Sequence, residues 1–187
     1  MIGTGGQAAA QLEAMLAARK LEEVKIFDLN EERCKAFAEE MQKGLAKYGA
    51  KIIPAKDSDD CIEDADLIIT VTPSAKPVFD GKKVKAGATI SCVGTYEPHK
   101  HELDPAVLPR ASKIICDSKE AALSETGDLL IPIADGIITE DDIQGSLGDV
   151  INGKIKGREN DDEIIVYETV GVAAQDLVAP KVIYDKA

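Results

Sequence analysis

Ile2-Gly3-Thr4-Gly5-Gly6-Gln7-Ala8 opens the 187-residue chain and decides how the rest is read. It fits G-x-G-x-x-A, with helical sequence immediately after. In such a turn Gly3 permits the tight reversal, Gly5 lets the backbone approach a pyrophosphate, and the small Ala8 allows close packing of helix on strand. The helix N-terminus then offers free N–H groups and a partial positive charge to phosphates. Gly3, Thr4, Gly5, Gly6, Gln7 and Ala8 are therefore the candidate cofactor contacts here, although glycine turns also join strands to helices that hold no ligand. About 20 residues beyond the turn stands Lys25-Ile26-Phe27-Asp28, an apolar run closed by an acid. A carboxylate at that point accepts hydrogen bonds from ribose hydroxyls and repels a 2′-phosphate. Leu29 and Asn30 supply no arginine, so NAD is expected in preference to NADP, with Arg33 and Lys25 close enough in sequence to soften the choice. The plainer reading of Asp28 is a strand-end capping residue.

Outward from this turn, short β-rich runs alternate with longer amphipathic ones, the pattern of a parallel sheet covered by helices. Strands are expected at residues 24–27, 51–54, 67–71, 89–93, 113–116 and 164–168, and helices at 7–19, 31–47, 105–110, 140–144 and 172–184. The fold class is α/β: a Rossmann-like, doubly wound, mainly parallel sheet with helices on both faces, in one domain spanning 1–187. Asn30 is a good N-cap for the second helix and Gly49 a good stop, while Cys34, Phe37, Ala38, Met41 and Leu45 recur at helical spacing and form its core stripe. Residues 152–162 read as a polar excursion. Asp66-Leu67-Ile68-Ile69-Thr70-Val71-Thr72-Pro73-Ser74 ends an apolar strand in hydroxyls and proline, and open α/β sheets bind ligands at the carboxyl ends of their strands, so Thr70, Thr72 and Ser74 are candidates for the cofactor crevice. Only Met1 and Ile2 precede the glycine turn, where a full strand is expected. A two-residue central strand is implausible by ordinary strand lengths, which implies a natural protein continuing upstream.

Composition removes several function classes. The formal charge of −12 repels a phosphate backbone and an anionic membrane surface, so neither nucleic acid nor membrane is an expected partner. The longest apolar runs fall far short of the roughly 20 residues that cross a bilayer. Cys34, Cys61, Cys92 and Cys116 form no CxxC pair and read as buried thiols of a cytoplasmic protein. No metal is expected: His99 and His101 lack a third ligand nearby, and the acids at Glu140-Asp141-Asp142 and at 159–163 lack calcium-loop spacing.

The stretch Ser91-Cys92-Val93-Gly94-Thr95-Tyr96-Glu97-Pro98-His99-Lys100-His101-Glu102-Leu103-Asp104 carries a resemblance. Its Val-Gly pair, its proline and its Glu-Leu-Asp, placed after a glycine turn followed by Gln-Ala, resemble the ornithine cyclodeaminase and mu-crystallin family. Leu147-Gly148, Gly153-Lys154-Ile155-Lys156-Gly157-Arg158, and Thr169-Val170-Gly171-Val172-Ala173 with Asp176 extend the match over roughly residues 3–176. The resemblance implies a two-domain subunit, usually a homodimer, with a Rossmann domain inserted in a domain for substrate binding and dimerisation. This chain corresponds to the Rossmann part. By that analogy Gly6 and Gln7 meet the pyrophosphate, Asp28 the ribose, and Thr70 the middle of the cofactor. Val93, Gly94, Thr95 and Tyr96 line the nicotinamide, with Lys100, Thr169 and Gly171 nearby. The substrate-binding arginine and catalytic lysine of the family lie in the other domain, so turnover by this chain alone is not expected.

The implied activity is NAD(P)-dependent hydride transfer on a small amino or imino acid, as in alanine dehydrogenases and in ketimine or pyrroline-carboxylate reductases. Two alternatives are conversion of ornithine to proline plus ammonia, and dinucleotide binding without turnover. Tyr96, the candidate catalytic residue, stands where ornithine cyclodeaminase has an aspartate. A phenol, with an ordinary pKa near 10, does not replace a carboxylate base at neutral pH without strong tuning, which favours simple hydride transfer.

Overall fold

The computed structural model describes residues 1–186. Its strands are β1 (Glu23–Ile26), β2 (Lys51–Pro54), β3 (Leu67–Thr70), β4 (Thr89–Cys92), β5 (Lys113–Cys116), β6 (Ile143–Ser146) and β7 (Ile165–Glu168). Every pairing among them is parallel. β1 pairs with β2, and the others run in the order β3-β4-β7-β5-β6.

Two residues stitch these halves together. Ile2 bridges Phe27 on one side and Thr70 on the other. Its N–H donates to the Ile69 carbonyl at 2.8 Å, its carbonyl accepts from the Val71 N–H at 2.9 Å, and Phe27 N–H donates to the Met1 carbonyl at 2.9 Å. The spatial order is thus β2-β1-Ile2-β3-β4-β7-β5-β6. In place of the expected full strand the described residues make two isolated bridges here: Met1 and Ile2 are buried, Met1 bonded to the β1 side and Ile2 to the β3 side. Toward the amino ends of β1 and β3 the seam opens into a cavity of about 610 Å³, lined in part by Val24, Lys25, Leu67, Ile69, Leu12 and Met15.

Helices cover both faces, as the α/β reading requires. On one face α1 (Ala8–Ala18) and α2 (Glu31–Gly44) bury Leu12, Leu16, Cys34, Ala38 and Met41 against Ile69 and Val71. On the other, Ile62 of α3 (Ser58–Ile62), Ala122 of α4 (Lys119–Glu125) and Leu129 of α5 (Gly127–Ala134) meet Ile68, Ile90 and Val166. Ile68 and Ile69 diverge because successive strand side chains point to opposite faces. The Asn30 side chain accepts from Arg33 N–H and caps α2. That helix stops at Gly44, short of the expected 47, and a 3₁₀ turn over Ala46–Tyr48 ends in left-handed Gly49.

The expected helix at 140–144 is corrected. Residues Glu140–Asp142 form one 3₁₀ turn closed by a Thr139–Asp142 capping box, and Ile143 then enters edge strand β6. Gln144 bulges from the β5–β6 ladder, and its side-chain carbonyl accepts from Ile114 N–H at 2.6 Å in place of a backbone partner. Pro105–Arg110 is 3₁₀ instead of α-helical, with Pro109, which has no N–H, inside it. The short α3, α4, α5 and α6 (Leu147–Ile151) were not expected, and α7 spans Ala173–Lys186. No helix among the described residues is long and apolar enough to cross a membrane.

Candidate functional site

The chain leaves Ile2 toward β1 and β2 on one side and returns through β3 and β4 on the other, so the carboxyl end of Ile2 is a topological switch point, where such sheets hold ligands. Gly3 sits at φ +101°, and a Cβ there would fall 2.7 Å from the Val71 carbonyl oxygen. Only glycine fits. At Gly6 a Cβ would meet nothing within 4 Å, so the outer side of the turn is open. The first turn of α1 carries no acidic residue and no side chain caps it, so although Ala8 N–H donates to the Gly5 carbonyl at 3.0 Å, its positive dipole end faces the turn and suits an anion. Ala8 is fully buried under the turn.

Asp28 follows β1 and faces this turn. Its Oδ2 accepts from Thr4 N–H at 3.1 Å and Thr4 Oγ1 at 2.6 Å, and its Oδ1 from Asn30 N–H at 2.9 Å. Arg33 Nη2 bridges both oxygens at 2.7 and 2.8 Å. Burial opposes ionisation of Asp28, but these donors outweigh it and hold the carboxyl below its ordinary range. Of the two cations near in sequence, Arg33 is the one that reaches Asp28. Lys25 turns away to Asp60 at 2.8 Å.

The other half of the crevice lies at the ends of β3, β4 and β7. Thr70 and Thr95 are buried; neither hydroxyl makes a hydrogen bond of ordinary geometry among the described residues, and each leans on a buried neighbour, Thr70 on Cys92 and Thr95 on Asp128. Val93 N–H donates to the Thr70 carbonyl and Thr169 N–H to that of Cys92, which keeps the three strand ends together. Thr72 and Gly94 both turn their N–H groups onto the Glu102 carboxylate. Ser74 folds into its own loop, its hydroxyl donating to the Lys76 carbonyl at 2.7 Å. Thr169 Oγ1 and Gly171 N–H both donate to Asp117 Oδ2, at 2.6 and 2.7 Å. Tyr96 is 61% exposed, and Lys100 Nζ lies 5.9 Å from its ring centroid while pairing with Glu97. Of the two histidines, expected as solvated loop residues, His99 is exposed beside Glu97, whereas His101 is half-buried with Nδ1 covered and unpartnered among the described residues.

Sequence reasoning missed the acids beneath this half. Glu102, Asp128 and Glu168 are all buried. Burial lifts the Glu102 carboxyl to about 7, despite the Thr72 and Gly94 donors. Burial, and then the neighbouring Asp128, pushes Glu168 well above the carboxylate range. Asp128 Oδ1 accepts from Glu102 N–H and Leu103 N–H, each at 2.7 Å. Cys92 Sγ and oxygens of Asp128 and Glu168 lie within 4.8 Å of one another, and burial pushes the Cys92 thiol well above its ordinary pKa. The Glu102-Leu103-Asp104 triplet was visible in the sequence, but nothing local announced that its acid is buried.

A family model described as "Ornithine cyclodeaminase/mu-crystallin family" matches residues 1–187. A Delta(1)-pyrroline-2-carboxylate reductase of Bacillus cereus is 39% identical over 187 residues, covering 100% of this chain and 56% of the relative. Among solved structures, the Thermococcus litoralis Delta(1)-pyrroline-2-carboxylate reductase in complex with NADH and L-proline superposes with a TM-score of 0.94 at 36% identity, over 100% of this chain and 56% of that one. An archaeal alanine dehydrogenase dimer with bound NAD gives a TM-score of 0.88 at 33% identity, over 98% and 55%. The chain thus spans about half the length of the relatives it matches.

Proposed function

Because the chain belongs to the ornithine cyclodeaminase/mu-crystallin family, we propose that residues 1–187 form the dinucleotide-holding unit of an NAD-dependent reductase of small imino acids, pyrroline-carboxylate-like substrates first among them. The observation that carries this reading is the open glycine turn facing a carboxylate at the switch point. Gly3, Gly5 and Ala8 shape the turn, and Thr4, Gly6 and Gln7 present it to the pyrophosphate. Asp28 takes the adenosine ribose. Thr70 and Thr95 support the strand ends from beneath, beside Thr72, Ser74, Val93 and Gly94, which border the cofactor's middle and nicotinamide. Lys100, Thr169 and Gly171 form the rim.

When bound, the nicotinamide supplies the hydride that the reaction moves. The contribution of this chain is orientation and exclusion of water: buried strand ends on one side, and the Tyr96–Lys100 pair on the other. Tyr96 in place of a carboxylate favours imine reduction over cyclodeamination. The residues that grip the substrate carboxylate and complete the chemistry belong to the rest of the whole protein, which acts as a homodimer in the cytoplasm. On its own, this chain binds the dinucleotide without turning substrate over.

Titration of the purified chain with NADH and with NADPH, followed by nicotinamide fluorescence, tests the reading. The chain has no tryptophan to interfere. Saturable binding, tighter for NADH, is expected; no binding by a cooperatively folded chain overturns it. Consumption of NADH in the presence of Delta(1)-pyrroline-2-carboxylate by the whole protein tests the substrate class.

A further inference from the structure

Glu102 has no local reason to be buried. Its residue is fully covered, and it lies in the loop between β4 and β5. One carboxylate oxygen takes the Thr72 N–H and the other takes the Gly94 N–H at 2.8 Å. Those peptides belong to the two segments that leave β3 and β4. Gly94 itself tolerates no side chain, because a Cβ would run into the Thr72 backbone and the Glu102 carboxylate. The acid is fixed from behind as well: Asp128, at the start of α5, takes the Glu102 and Leu103 N–H groups, and Val78 N–H donates to the Glu102 carbonyl at 2.9 Å. A single rigid carboxylate therefore sets the spacing between the β3 and β4 exits. The buried Thr70 and Thr95 flank those exits from the interior side, beside Cys92 and Asp128.

We propose that Glu102 is a positioning residue: by holding the Thr72 and Gly94 peptides together it fixes the β3 and β4 exits against which the nicotinamide half of a dinucleotide lies, and takes no part in holding the adenosine half. This rests on the dinucleotide reading above and deepens it. The adenosine half has its own anchors in the glycine turn, Thr4 and Asp28, none of which hydrogen-bonds Glu102. Replacing the carboxylate with an amide puts an NH₂ group against one of two buried N–H donors, which separates the two exits.

The experiment compares NADH with ADP-ribose, which lacks the nicotinamide, by isothermal titration of the wild-type chain and of Glu102→Gln. Hydrogen bonds to a charged group are worth about 1.5–3 kcal/mol, so NADH is expected to bind roughly 10- to 100-fold more weakly to the variant, with ADP-ribose unchanged within about twofold. Equal weakening of both ligands, or of neither, overturns the proposal while leaving the dinucleotide reading intact. Failure of the wild type to bind either ligand overturns the dinucleotide reading, and this proposal with it. Should the variant not fold, the wild type alone decides. The groups facing Glu102 are Asp128 from α5, Glu168 from β7 and Cys92 from β4, with His101 beside Asp128, and Glu102 itself loses its second acceptor when protonated. The affinity ratio of NADH to ADP-ribose is expected to fall several-fold from pH 8 to pH 6. A constant ratio overturns the proposal.

Discussion

The buried acids make this chain more stable in mild acid than at neutral pH, and the effect of one of them can be isolated. Burial lifts Glu102 from an ordinary 4.5 to about 7, with the charge of Asp128 adding to the rise. A raised folded-state pKa means that between these values the native state keeps a proton that the unfolded chain has released. Stability is therefore full below about 4.5 and is lost as pH climbs through 7. At about 1.4 kcal/mol per pKa unit, Glu102 alone removes on the order of 3 kcal/mol between pH 4.5 and pH 7.5. Glu168 and Asp128, both raised by burial, act with the same sign. Asp28 acts oppositely, because its carboxyl is held down; its contribution is lost only as pH falls below the ordinary aspartate value of 3.8. Urea unfolding followed by far-ultraviolet circular dichroism at pH 5, 6, 7 and 8 should show wild-type stability declining with pH. In Glu102→Gln the decline should be shallower by about 3 kcal/mol over that span. The amide has a constant cost of its own, which shifts the whole curve without changing its slope. A difference between the two proteins that stays constant from pH 5 to pH 8 would refute the reasoning.

Asp28→Ala should weaken NADH roughly 10- to 100-fold and turn the preference toward NADPH, because Arg33 is then released to meet a 2′-phosphate; unchanged NADH affinity by titration removes Asp28 from the site. Arg33→Ala should weaken NADPH and leave NADH within a few-fold, and loss of both equally means that Arg33 serves only to hold Asp28. Gly3→Ala combines a left-handed φ with a Cβ 2.7 Å from the Val71 carbonyl oxygen, so urea unfolding should show a loss of about 2–5 kcal/mol, and a loss under 1 would mean the turn relaxes freely. Three alternating apolar residues added ahead of Met1 should pair with the free edges of β1 and β3, enter the 610 Å³ cavity and raise Tm by roughly 3 °C or more, whereas an unchanged Tm means that the cavity does not take a strand.

What could be read from the sequence follows from how local each signal is. Six strand positions emerged nearly as observed because each is a short β-branched run with its own boundaries. The glycine turn, Asp28 and the Asn30 cap were equally visible, since each is a device built within a few residues. Edge strand β6 was not. Ile143-Gln144-Gly145-Ser146 has no strand periodicity, and it is strand because it pairs with β5, about 30 residues earlier, with the Gln144 side-chain carbonyl bridging the bulge. The short helices α3 to α6 fell below the length at which periodicity can be seen. At the amino end, ordinary strand length argued against Met1 and Ile2 as a central strand. It gave no account of two waiting edges that supply partners for both residues at once.

The candidate site divides along the same line. Its phosphate and ribose side is a sequence-local construction, so composition and spacing reach it directly. Its other side is assembled from Thr70, Thr95, Glu102, Asp128 and Glu168, which come from four separate segments and meet only after the sheet has closed. An acid buried by tertiary contact looks, in sequence, like any of the 34 acids in the chain. The −12 charge conceals it further, because solvated carboxylates are the rule here and the covered ones, Asp28, Glu102, Asp128 and Glu168, the exception. What marks Glu102 as different is the pair of backbone donors that converge on it, and a donor pair contributed by Thr72 and Gly94 has no linear signature. The half of the candidate site proposed for the phosphates and ribose is therefore legible residue by residue, while the half proposed for the reactive end depends on the packed interior.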